Sequence, residues 1–273
     1  MLIRILSAVV LAPPLLYVIL KGTTLYFFLL MLFISAGLLY EWQGLKGEVL
    51  KLKWLAQVCL SWSLLFVTYS GMKGYTVPII VLALFIMVAS TVLNYQSEKP
   101  VIALWSVDFT GLIYCTLPLM LLLEIQENLG GRFVIFPLLI IWATDSGAYF
   151  SGKFFGRKKL APKLSPGKTW VGFYGGCFSG LLAGLLVSTS FSFEFAPWQA
   201  VLVGLLLSLS GQLGDLAESL LKRESGVKDS GRLIPGHGGL LDRLDSLLFA
   251  VPVYYLLLAW VAASRSEGIS LVG

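Results

Sequence analysis

Six of the fifteen acidic residues, Asp215, Glu218, Glu224, Asp229, Asp242 and Asp245, lie between Gly214 and Ser246. The same stretch carries Lys222, Arg223, Lys228, Arg232, Arg243 and the only histidine, His237. Two acid pairs stand out by spacing. Asp215 and Glu218 are three residues apart, as are Asp242 and Asp245, so on helices each pair shares a face. Lys222 extends the first face by one more turn. Either pair alone would read as an ordinary helix terminus, where acids also suit the dipole. Two pairs joined by a short loop read differently: their helices can meet with Asp215 and Asp242 facing across one cavity. Carboxylates converging among basic residues suit Mg²⁺ carrying phosphate oxygens. Asp215, Asp242, Glu218 and Asp245 are therefore the expected metal ligands.

The loop between these pairs adds phosphate chemistry. Lys222, Arg223, Lys228 and Arg243 supply positive charge, arginine as a bidentate fork and lysine as a point charge. The glycines of Pro235-Gly236-His237-Gly238-Gly239 allow close backbone approach, with N–H groups at a helix N-terminus. His237 is an expected phosphate or substrate contact there. A second cluster, Lys163-Leu164-Ser165-Pro166-Gly167-Lys168-Thr169-Trp170, contains a GKT triplet. It is not a P-loop, because Pro162 stands where the first glycine is required and no strand is expected before it. Ser165, Lys168 and Thr169 remain as hydroxyl and ammonium donors for phosphate or ribose. Asp145 is a further acid near the end of an apolar run, expected to be buried and either to orient a lysine or ligand or simply to cap the cavity.

These residues sit in an apolar chain. Of 273 residues 57% are hydrophobic and 13% charged, with a mean hydropathy of +0.85, against roughly 25% charged in soluble domains. Such a chain needs a bilayer as solvent. A bilayer core of ~30 Å takes ~20 apolar residues as helix. Nine stretches qualify: 2–20, 24–42, 54–70, 75–93, 101–125, 133–151, 170–191, 197–222 and 239–264. The first is read as a span and not a cleaved leader, with a kink expected at Pro13-Pro14. The stretch 101–125 holds Asp108 and Pro118. No strand-type alternation and no soluble domain is expected. The fold class is thus an all-α polytopic membrane protein, with about five spans in 1–130 and a catalytic region in 131–273 whose large loops are 151–169 and 223–238.

With nine spans, 16 of the 20 lysines and arginines fall on one side. Cytoplasmic loops carry such an excess, so both large polar loops are expected to face the cytoplasm. The net charge of +5 follows from the same bias and calls for no nucleic acid. Cys59, Cys115 and Cys177 lie in apolar runs without CxxC spacing and read as small buried thiols. Intramembrane acids and glycine-broken helices also occur in ion-coupled transporters. Here the charge clusters at one membrane face and no inverted repeat is visible.

At these residues the chain resembles the CDP-diacylglycerol synthases, or phosphatidate cytidylyltransferases. Their signature, S-x-x-K-R-x4-K-D-x-G-x2-[LIF]-P-G-H-G-G-x2-D-R-x-D, reads without a gap from Ser219 through Lys222-Arg223, Lys228-Asp229, Gly231, Ile234 and Pro235–Gly239 to Asp242-Arg243 and Asp245. The resemblance extends to Asp145–Tyr149, Lys163–Trp170 and Glu41-Trp42, while Val171 departs from the polar or acidic residue members often carry. It implies the reaction of CTP with phosphatidate, giving CDP-diacylglycerol and pyrophosphate with Mg²⁺, as one or two divalent ions with a monovalent ion as an option. The implied partners are the two substrates and the lipid bilayer, with a homodimer as an option. In this setting Asp215, Lys222 and Asp242 are the expected catalytic residues. Asp145, Ser165, Lys168, Thr169, Arg223, Lys228, Asp229, His237 and Arg243 are the expected substrate contacts. A lipid phosphate is already ionised, so His237 need not act as a base. A CTP-dependent polyprenol kinase would use similar chemistry.

Overall fold

The computed structural model describes residues 2–45, 51–93, 101–191, 193, 195–234, 236 and 238–264. These form nine α-helices among the described residues: α1 (Leu2–Lys21), α2 (Thr24–Gly44), α3 (Lys51–Tyr69), α4 (Thr76–Leu93), α5 (Val101–Leu129), α6 (Gly131–Phe155), α7 (Trp170–Ser190), α8 (Pro197–Glu224) and α9 (Leu241–Ala263). Seven are long and apolar enough to cross a membrane; Ala12–Lys21 and Lys73–Ala89 are shorter apolar segments. The chain is a polytopic helical membrane protein. α1 runs through Pro13 and Pro14, and α5 runs through Pro118.

One feature differs from the all-helical expectation. β1 (Lys159–Ala161) and β2 (Ser165–Thr169) form an antiparallel hairpin between α6 and α7. Strands of three and five residues are too short to show an alternating pattern. The GKT triplet lies at the end of β2 and not in a phosphate-wrapping loop.

The chain clusters into two compact units. One comprises 1–18, 22–127 and 229–241. Its helices are tied by buried polar contacts, which apolar surroundings require to be paired. Gln43 Nε2 donates to Gln57 Oε1 at 2.8 Å, and Gln57 Nε2 to the Asp108 carbonyl at 3.2 Å. Asp108 is tolerated in α5 because Lys53 lies 3.9 Å away.

The other unit comprises 19–21, 128–228 and 242–273. It is built around α7. Gly172, Gly176, Gly180, Gly184 and Ser188 recur every fourth residue and are all buried. Tyr174, Phe178, Leu182 and Leu186 recur on the opposite face and are exposed. Small residues inside and large ones outside is how membrane helices pack, since lipid solvates the bulky side chains as well as protein does. The stripe brings backbones into contact: a Cβ on Gly184 would meet the Ala200 carbonyl of α8 at 2.5 Å, and one on Gly172 the Ala148 carbonyl of α6 at 2.9 Å. α6, α7 and α8 are thereby locked side by side under the hairpin.

Candidate active site

The last three turns of α8 carry Asp215, Glu218 and Lys222, and the first turns of α9 carry Asp242 and Asp245. Lys222 joins the two helices. Its Nζ donates to Glu218 Oε2 and to Asp242 Oδ1, both at 2.6 Å. Glu218 is 1% exposed, and its Oε1 has no hydrogen-bond partner. Asp245 is buried and lies within electrostatic reach of Asp215, Asp145 and Lys222. The sequence expectation set Asp215 opposite Asp242. In the structure it is Glu218 that meets Asp242, through the ammonium between them.

Asp215 instead faces the hairpin, where Lys168 Nζ lies 2.5 Å from its Oδ2. β2 ends one residue after Lys168, and Thr169 caps α7 by accepting the Gly172 N–H at 3.1 Å. This cap fixes the point from which Lys168 reaches back to α8. Beside the pair a cavity of about 640 Å³ opens, walled by Asp145, Lys153, Lys159, Lys168, Gln212 and Asp215 among others. Asp145 is exposed to this cavity and not packed in a core, because small residues line the helices around it. Five carboxylates, Asp145, Asp215, Glu218, Asp242 and Asp245, thus stand against two paired ammonium groups, Lys168 and Lys222.

The remaining expected contacts divide. Thr169 lines the cavity while serving as the cap. Ser165 begins β2, outside the cavity wall. Arg223 ties the hairpin to α8: its Nε donates to the Leu164 carbonyl at 3.3 Å and its Nη1 to the Val227 carbonyl at 3.2 Å. Lys228 and Asp229 are exposed in the segment after α8, and Arg243 is exposed on α9. His237 lies outside the described residues.

Three residues of note were absent from the expected site. Gln212 spans α7 and α8, its Nε2 donating to the Phe173 carbonyl and Ser208 Oγ, each at 3.4 Å. It sits in the same Ser/Gly-thinned stretch that pointed to a cavity. Lys153 and Lys159 line the cavity mouth but read in sequence as loop charge. A fourth, Glu41, stands out in the sequence only through the family resemblance. It is 2% exposed, and its Oε2 accepts from the Leu241 N–H at 2.8 Å and Ser230 Oγ at 3.2 Å. A Cβ on Gly231 would meet the Glu41 Cδ at 2.6 Å, and one on Gly239 its Oε2 at 2.7 Å. Those two glycines are needed because the carboxylate fills the space a side chain would take. Gly236 and Gly238 adopt φ of +77° and +86°, the left-handed region that favours glycine.

Comparison with known proteins bears on this site. The model of the cytidylyltransferase family matches residues 2–261. The chain belongs to the cytidylyltransferase family. Within the family's curated members, it is 40% identical over 177 residues to the phosphatidate cytidylyltransferase of Staphylococcus saprophyticus. It is 41% identical to that of Staphylococcus epidermidis and 42% to that of Staphylococcus aureus, over the same length. In each case the match covers 64% of this chain and 66% of the relative. The family resemblance drawn from the signature residues is thereby borne out.

Proposed function

We propose that this chain transfers the cytidylyl group of CTP to phosphatidate, yielding CDP-diacylglycerol and pyrophosphate at the cytoplasmic face of the membrane. The observation that carries this most is the Lys222 ammonium held between Glu218 and Asp242, inside the sequence block that marks the family. Relatives named phosphatidate cytidylyltransferase support the substrates. The bias of 16 of 20 basic residues to one side supports the cytoplasmic face.

In the reaction, a phosphate oxygen of phosphatidate bonds to the α-phosphorus of CTP. The bond from that phosphorus to the oxygen bridging to the β-phosphorus breaks, and pyrophosphate leaves with the electron pair. The attacking phosphate is ionised at neutral pH, so no proton needs removal. What remains is to bring two anions together and to hold charge on the leaving group. Lys222 and Lys168 are pre-organised for this by the carboxylates that hold them extended. Arg223, Lys228 and Arg243 add donors for phosphate, and Thr169 adds a hydroxyl at the cavity wall, while Ser165 begins the same strand outside it. Asp145, Asp229 and His237 are further substrate contacts in this reading.

The donor set fits Mg²⁺. It is all oxygen, its carboxylates outnumber the paired ammonium groups, and Glu218 Oε1 is a buried oxygen without a hydrogen bond. Among the described residues no three His, Cys, Asp or Glu side chains gather to hold a metal by themselves. Mg²⁺ does not require such a cage, being commonly held by one or two carboxylates plus substrate phosphates. Asp215 and Asp242 would serve as ligands, to one ion or to one each, with Glu218 and Asp245 in support; when bound the metal would screen phosphate charge and stabilise the leaving pyrophosphate.

The test is direct. Purified protein with phosphatidate, Mg²⁺ and CTP labelled at the α-phosphate should yield labelled lipid, and EDTA should stop it. Absence of labelled lipid under conditions that preserve the folded protein would overturn the assignment.

A further inference from the structure

The cavity beside α6 has two chemically different ends. α6 contributes Asp145, Tyr149 and Lys153 to its wall and reaches Gly156, a run of about 16 Å at 1.5 Å per residue. At the Asp145 end the cation is committed, since Lys168 is paired with Asp215. At the other end stand Lys153, on the last turn of α6, and Lys159, at the start of β1. Neither forms an ion pair with a carboxylate among the described residues. The Lys153 ammonium lies 5.5 Å from the centroid of the Tyr149 ring and 3.5 Å from its hydroxyl, contacts that leave its charge uncompensated.

Outside this end the protein presents an aromatic face. Phe150, Phe154 and Phe155 are each more than half exposed. Their rings run on from Tyr149 at centroid spacings of 5.4, 6.4 and 6.4 Å. Tyr149 near a helix end, beside lysines, is of the residue type enriched at lipid headgroups, and the phenylalanines continue its apolar side. Two uncommitted ammonium groups therefore stand where the cavity wall meets this apolar face.

We propose that this end of the cavity takes the phosphomonoester headgroup of the lipid substrate, entering sideways from the bilayer between Lys153 and Lys159. The Lys168–Asp215 end is left to the nucleotide's phosphates. The assignment rests on the cytidylyl-transfer reading above and adds to it which substrate goes where. A phosphomonoester carries close to two negative charges at neutral pH, which two lysines match. Its acyl chains need an apolar flank, which the phenylalanines supply and a nucleotide has no use for.

Phosphate is common to both substrates, so the test separates them. Full-length protein in mixed detergent micelles is assayed against phosphatidate at saturating CTP, and against CTP at saturating phosphatidate. In the double variant Lys153→Gln/Lys159→Gln the KM for phosphatidate should rise about tenfold or more, as expected for loss of charge-assisted hydrogen bonds. The KM for CTP should stay within about twofold, and Lys153→Arg/Lys159→Arg should restore most of the lipid affinity. A rise in the KM for CTP alone, or no change in either, would overturn the proposal. A second readout needs no turnover. Tryptophan fluorescence should be quenched more by phosphatidate with brominated acyl chains than by equally brominated phosphatidylcholine, and the double glutamine variant should lose that preference. Preference without cytidylyl transfer would sink the enzymatic reading alone; no preference in the unaltered protein would sink the headgroup site.

Discussion

The Glu41 carboxylate accepts the backbone N–H of Leu241 at 2.8 Å, across 200 positions of the chain. Leu241 is the first residue of α9 and Asp242 the second. A buried acid on α2 thus holds the residue next to Asp242 in the chain, and it also holds Ser230. Glu41→Ala removes both bonds and leaves their donors buried, at a cost of about 1–3 kcal/mol each. We expect kcat to fall about tenfold or more with little change in the KM for CTP. Glu41→Gln keeps an acceptor oxygen and should recover part of the rate. Equal loss in both variants would show that charge, not the hydrogen bonds, matters at this position.

The Lys222 bridge separates catalysis from stability. Lys222→Met takes from Glu218 and Asp242 the cation they share, and breaking a buried ion pair by removing one partner costs about 3–5 kcal/mol. Its thermal midpoint in detergent should fall clearly below that of the unaltered protein. Adding Glu218→Gln and Asp242→Asn removes the two negative charges and should return the midpoint most of the way. Activity should not return. Recovery of turnover in the triple variant would remove these three residues from the reaction.

The glycine stripe of α7 predicts a packing defect. Gly184→Leu forces a side chain against the Ala200 carbonyl and Gly204 of α8. Overpacking of this kind costs about 1–3 kcal/mol, read as a lower thermal midpoint. Leu182→Ala, on the exposed face of the same helix, should be close to neutral. Similar midpoints for the two would contradict the packing described.

Divalent metal should be required. Chelation should abolish transfer, Mg²⁺ should restore it, and Na⁺ alone should not. Full activity in excess EDTA would dismiss the metal assignment of Asp215 and Asp242.

The membrane made much of this legible from sequence. In a chain so apolar, each charged residue is conspicuous, and the two acid pairs with Lys222 could be found by helical spacing. The nine apolar stretches correspond to the nine helices of the described residues, differing by a few residues at their ends. What was not legible came from pairings between distant positions. Lys168 meets Asp215 because a hairpin turns β2 back toward α8, and that hairpin is too short to leave a pattern. The partner of Asp242 depends on which way the Lys222 side chain runs between helices, which spacing along one helix does not determine. Glu41 carried only a faint signal, an acid ending an apolar run, and its role depends on Gly231 and Gly239 leaving room for it.

The most direct measurement compares two labels. CTP labelled at the α-phosphate and CTP labelled at the γ-phosphate are each incubated with the protein, phosphatidate and Mg²⁺. Cytidylyl transfer puts the α label on the lipid and the γ label in pyrophosphate. A lipid carrying the γ label, as a CTP-dependent kinase would make, or a lipid carrying neither, would contradict the account.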